Sequence, residues 1–138
     1  MSLEARIFLL EGLAFEGSTS TGNVVMINAS KGAAGNVGFR PMELFLVSLG
    51  ACSGVSMIQI LQKKRIDISG FWINVKGEKA KTPPTIFTDI DMEYVVKGKN
   101  IPEKAVKSAF ELTKKTCSVI AMVKPTTNVT TRYRIIEE

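Results

Sequence analysis

The chain has 138 residues, a formal charge of +5 and no histidine, and its length sets one domain around a single core as the expectation. Without histidine there is no Ser-His-Asp or Cys-His pair and no imidazole metal ligand, and two cysteines alone do not build a usual zinc site. The chemistry must therefore run on Cys, carboxylates, Arg or Lys, and neither metal nor cofactor is expected.

Residues 1–11 are already acidic and their apolar run is too short for a signal core. Residues 5–15, ARIFLLEGLAF, read as a strand interrupted by a bulge at Glu11-Gly12. Residues 17–23, GSTSTGN, carry turn chemistry, and residues 24–28 return as a second strand, making a hairpin. Residues 31–38, KGAAGNVG, form a loop whose glycines fit neither a phosphate loop nor a dinucleotide fingerprint.

The segment from Pro41 to Arg65, PMELFLVSLGACSGVSMIQILQKKR, is a long helix. Proline suits its first position, Glu43 its first turn, and the run Lys63, Lys64, Arg65 its C-terminus. At 1.5 Å per residue it would span about 37 Å. It is long enough to cross a membrane, but Glu43, Gln59, Gln62 and three serines argue against that. The protein is read as cytoplasmic, without a membrane partner. Cys52 lies near the middle, with Ser48 and Ser56 on its face and Phe45, Leu49, Val55 and Gln59 flanking it. From this helix alone, Cys52 reads as a structural thiol in a core element.

Residues 71–75 give a short strand and residues 76–84 a polar loop. A clean alternation follows. Ile86, Thr88, Ile90, Met92, Tyr94 and Val96 face the core, while Phe87, Asp89, Asp91, Glu93, Val95 and Lys97 make an acidic row in water. That row is expected to meet Lys76, Arg132 and Arg134 rather than a metal. Residues 102–115 form an amphipathic helix burying Ala105, Val106, Ala109, Phe110 and Leu112. Thr116 then caps a short helix over residues 117–123, placing Cys117 at an N-terminus that favours thiolate. Residues 126–136 are the last strand. The basic residues form no block, the clusters at residues 63–65 and 114–115 fall at expected helix ends, and no nucleic-acid motif accompanies them, so no nucleic-acid partner is expected.

The order β-β-α-β-β-α-(α)-β, dominated by hairpins, sets the class as α+β with antiparallel sheets. The long helix is apolar nearly all round, and a second copy packing through Gly50 and Gly54 would cover it, so a homodimer is expected.

PMELFLVSLGACSGVSMIQIL resembles the signature helix of the OsmC/Ohr family, osmotically induced protein C and organic hydroperoxide resistance protein. TKKTCSVIAMV resembles that family's second-cysteine segment, and the resemblance covers nearly the whole chain, most of all with the YhfA-like branch. It implies one OsmC-like domain over residues 1–138, in an intertwined homodimer with long central helices between the sheets. It also implies a thiol peroxidase that reduces organic hydroperoxides without a cofactor, using a dithiol reductant. Cys52 would attack the peroxide and Cys117 would resolve the sulfenic acid to a disulfide. Phe45, Ser48, Leu49, Val55 and Ser56 would line the approach.

The family pairs an Arg of the N-terminal hairpin loop with a Glu directly after the helix Pro. Here residues 17–23 hold no Arg and Met42 follows Pro41. The nearest substitutes are Glu43, one place later, with Arg40 and Arg6. The alternative is a non-enzymatic OsmC-fold dimer that binds an apolar small molecule at the helix interface.

Overall fold

The computed structural model describes residues 1–32 and 37–138. The expected loop over residues 31–38 therefore lies partly outside the described residues. The element order is β1 (Ala5–Glu11), β2 (Ala14–Thr19), β3 (Val24–Asn28), α1 (Pro41–Lys63), β4 (Gly70–Lys79), β5 (Phe87–Gly98), α2 (Glu103–Thr116), α3 (Ser118–Val123) and β6 (Asn128–Glu137). Contacts divide the chain into two compact units, Met1–Phe45 and Leu46–Glu138.

In the first unit, β1, β2 and β3 form an antiparallel meander. The single strand expected over residues 5–15 is in fact two. Gly12 takes φ +50°, a left-handed value that suits glycine, and turns the chain so that Glu11 pairs with Ala14. The bulge falls between Leu9 and Glu11 instead. Phe39 joins as a parallel bridge to Ile27, its N–H donating to the Met26 carbonyl at 2.9 Å. Gly38 makes this possible. Its φ is +100°, and a Cβ there would lie 2.8 Å from the Met26 oxygen.

Helix α1 begins as the sequence predicts. Pro41 occupies the first helical position, and Glu43 Oε1 accepts from the Arg40 backbone N–H at 3.2 Å, half of a capping box. It ends two residues early. Arg65 adopts φ +58°, and the Ile66 and Arg65 N–H groups donate to the Leu61 and Gln62 carbonyls at 3.1 and 3.0 Å. This is a Schellman stop with Arg in the place usually held by Gly.

In the second unit, β5 is the central strand. It pairs antiparallel with β4 and parallel with β6. The expectation of purely antiparallel pairing is corrected here, because α2 and α3 carry the chain back across the sheet before β6 starts. Ile90, Met92, Tyr94 and Val96 are buried as the alternation requires, whereas Ile86 and Thr88 are exposed. Val95 is also buried, flanked in register by Trp72 and Arg134. Phe87 is buried too, although the alternation puts it on the wet face.

The acidic row pairs across strands. Arg132 bridges Asp91 and Glu93, Arg134 Nε lies 3.5 Å from Glu93, and Asn128 donates to Asp89 at 3.1 Å. Lys76 instead meets Glu78 at 3.7 Å. No cluster of three potential metal ligands occurs among the described residues.

Helix α2 buries Val106, Ala109, Phe110 and Thr113, but Leu112 is 47% exposed. Leu112 lies two residues past Phe110, about 200° round the helix, which turns it away from the core. Thr116 does not cap α3. It is the last residue of α2, its hydroxyl donating back to the Leu112 carbonyl at 2.9 Å, and Cys117 takes the junction between the helices.

Candidate functional site

Helix α1 presents distinct faces. Leu49, Ser53, Met57 and Leu61, spaced four apart, form the inward stripe. Gly50 and Gly54 face β4. A Cβ on Gly50 would meet Val75 at 3.1 Å, and one on Gly54 would meet Ile73 at 3.4 Å and Phe71 at 3.5 Å. A strand of this chain thus comes close to these small residues, which also line an open groove beside β4.

Cys52 lies on the other flank and is half-buried. Cys117 is 1% exposed. The two thiols, sixty-five positions apart, lie near enough for Cys52 to act on the charge of Cys117, with both sulfurs free. Burial pushes the Cys117 thiol up from its ordinary value of 9.0. The Ile120 and Val119 amides pull it down, and Cys52 adds to the rise. The thiolate expected at a helix N-terminus is therefore corrected. No capping hydrogen bond closes on Cys117, and the loss of water outweighs the amides.

Beside the thiols lies a hydroxyl pair that the sequence reading missed. Ser53, next to Cys52, shares a short hydrogen bond with the Tyr94 hydroxyl, and both residues are fully buried. Burial raises the Tyr94 pKa, the Ser53 bond opposes this, and the charge of Cys117 adds to the rise. Tyr94 also packs edge-on against Phe110, ring centroids 5.4 Å apart. The only hint in the sequence is general: a core tyrosine needs a partner for its hydroxyl.

The remaining expected residues scatter. Leu49 is sealed in the core. Val55 lines a groove of about 750 Å³ on the β4 side of α1, with Leu46, Ile58, Phe71, Ile73 and Val75 among its walls. That groove is apolar and does not include Cys52. The Ser56 hydroxyl donates to the Cys52 carbonyl at 3.2 Å, not to its thiol. Ser48 and Phe45 are exposed. Arg40 and Glu43 are engaged within the first unit. The Arg40 guanidinium donates to the Ala29 and Ser30 carbonyls at 3.3 and 3.1 Å, and Glu43 holds the helix start. Arg6 sits over the Phe8 ring at 5.4 Å.

The fold is α+β, with one free thiol on the long helix and the other at the junction of two helices. The sequence model of the OsmC-like protein family matches residues 32–132, and the chain belongs to that family. It is 31% identical to Protein YhfA of Escherichia coli over 135 residues, 97% of this chain and 98% of that one. The crystal structure of a hypothetical protein from Aquifex aeolicus aligns with TM-score 0.89 at 35% identity, covering 100% of this chain and 98% of that one. An organic hydroperoxide resistance protein OsmC from Legionella pneumophila aligns with TM-score 0.69 at 12% identity, covering 100% and 98%. This last likeness is one of fold.

Proposed function

We propose that the protein is a cytoplasmic thiol peroxidase for organic hydroperoxides, with Cys52 attacking and Cys117 resolving. The observation that carries the reading is the meeting of the two free thiols, one half-buried and one sealed. The Cys52 sulfur attacks the outer peroxide oxygen and the O–O bond breaks. The alkoxide takes a proton and leaves as the alcohol, and Cys52 becomes a sulfenic acid. Cys117 then gives up its proton and attacks the Cys52 sulfur. The S–S bond forms, the S–O bond breaks and water leaves. A dithiol reductant restores both thiols by exchange and is itself oxidised to a disulfide. The Ile120 and Val119 amides favour the charge that Cys117 develops in this step. The same proposal takes the protein as a homodimer.

The test is consumption of an alkyl hydroperoxide with a dithiol reductant. Cys52→Ser abolishes turnover, and Cys117→Ser leaves one round, stalled at sulfenic acid. Wild type consuming no more than Cys52→Ser across several alkyl hydroperoxides overturns the reading. The apolar groove beside β4 favours a second reading, a non-enzymatic dimer that binds an apolar molecule. In that case both variants match wild type in every assay of peroxide loss.

A further inference from the structure

The Ser53–Tyr94 pair holds one hydrogen more than its contact uses. Both residues are fully buried, and their hydroxyls share one hydrogen bond. Two hydroxyls carry two hydrogens, and a single bond between them engages only one. Neither hydroxyl makes a further hydrogen bond among the described residues. Ser56 shows the usual outlet for a helical serine, donating to the carbonyl four residues back at 3.2 Å. Ser53 is turned to Tyr94 instead. Either oxygen can serve as donor to the other, so the pair can present its spare hydrogen to a neighbour that develops charge without moving a heavy atom.

Cys117 is that neighbour. Tyr94 stands on β5 with its ring edge-on to Phe110, centroids 5.4 Å apart, and Phe110 lies on the buried face of α2 that leads to Cys117. The Cys117 N–H donates to the Thr113 carbonyl at 3.0 Å. Cys52 and Tyr94 are the titratable groups within electrostatic reach of the Cys117 sulfur. Charge on that sulfur makes Tyr94 hold its proton more tightly, so the phenol stays a donor while the sulfur is negative. The resolving step needs such a donor. Cys117 is 1% exposed, and no Lys, Arg, Asp or Glu is buried among the described residues. The Thr113 hydroxyl is already committed to the Ala109 carbonyl at 2.8 Å. Beyond the Ile120 and Val119 amides, the spare hydrogen of the pair is what remains.

We propose that Tyr94, oriented by Ser53, holds the Cys117 thiolate during the resolving step. Ser53 donates to the phenol oxygen, and the phenol O–H turns to the Cys117 sulfur as that sulfur becomes negative. The Cys117 proton leaves with the hydroxide of the Cys52 sulfenic acid as water, the S–S bond forms, and Tyr94 keeps its own proton throughout. Accepting a hydrogen bond from Ser53 makes the phenol a stronger donor. Ser53 is therefore a positioning residue that acts through Tyr94. The inference rests on the reading of Cys117 as the resolving thiol.

Dipyridyl disulfide reads this step without any peroxide. Reduced protein releases one thiopyridone as Cys52 is capped, and a second as Cys117 attacks the capped sulfur and closes the S–S bond. Cys117→Ser shows the first phase alone. Tyr94→Phe keeps the first phase at the wild-type rate and slows the second about tenfold, the loss of one hydrogen bond to a charged group. Ser53→Ala slows the second phase by less. Equal second phases in wild type and Tyr94→Phe overturn the proposal.

Fluorination separates donation from packing. Tyr133, the other tyrosine of the chain, is replaced by Phe, and fluorotyrosine is incorporated at position 94. The ring keeps nearly its size, while the more acidic O–H donates more strongly, so the second phase quickens relative to Tyr133→Phe. A fluorinated protein no faster than Tyr133→Phe assigns the Tyr94→Phe loss to packing and overturns the proposal. If wild type consumes no alkyl hydroperoxide yet its second phase depends on Tyr94 in this way, the peroxidase reading fails alone. If wild type shows no second phase, Cys117 does not attack the Cys52 sulfur, and both readings fall.

Discussion

The hydroxyl pair behind the thiols gives the sharpest stability prediction. Ser53 and Tyr94 are each fully buried, and each satisfies the other. Stranding one buried hydroxyl costs about 1–3 kcal/mol, whereas removing both is close to neutral. The two single changes are not equivalent. In Tyr94→Phe, the Ser53 hydroxyl can rotate to the carbonyl four residues back, as Ser56 already does with Cys52. The cost should be near the low end, about 1 kcal/mol. In Ser53→Ala, the Tyr94 phenol stands too far from its own backbone to find such a partner. The cost should approach about 3 kcal/mol. The double variant should be more stable than Ser53→Ala alone. Urea unfolding at one fixed protein concentration measures all four corners of the cycle. A double variant whose loss equals the sum of the single losses would refute the reasoning, because it would show that the hydroxyls do not depend on one another.

Two further outcomes follow from α1 and from Cys117. Helix α1 is long and apolar enough to cross a membrane, yet only Leu49, Gly50, Ser53, Met57 and Leu61 are buried within the chain, so a second copy should cover Val47, Ala51 and Val55; sedimentation showing a stable folded monomer at micromolar concentration would reject this. The raised Cys117 and Tyr94 pKa values mean that the folded state keeps protons the unfolded chain releases, so stability is full below about pH 9 and falls as pH rises beyond it; Cys117→Ser should make that alkaline slope shallower, and an unchanged slope assigns the loss elsewhere.

Much of the fold was legible because its signals are local. Pro41 and Glu43 marked the start of α1, and the alternation from Ile90 to Val96 marked the central strand. What the sequence misplaced depends on contacts that lie far along the chain. Glu11-Gly12 can be a bulge or a tight turn, and only the pairing of β1 with β2 decides. The parallel partnership of β5 with β6 depends on where the α2–α3 crossover delivers the chain. Gly50 and Gly54 announced a close approach, and β4 makes one, but a strand and a second helix make the same demand.

The site shows the same division. Both cysteines stood out by type, and their motifs tied them to a family, but their inequality is a product of burial. A helix N-terminus lowers a thiol pKa when water and amides act together. At Cys117 the amides are present and the water is gone, so desolvation decides the sign. A sealed, protonated thiol makes a poor first attacker on a diffusing peroxide and a good reserve against a sulfenic acid already beside it. The half-buried Cys52 has the opposite balance: access to substrate first, and a partner within reach afterwards. The order of the proposed reaction thus follows from which sulfur water can reach. It does not require that the helix terminus activate either one.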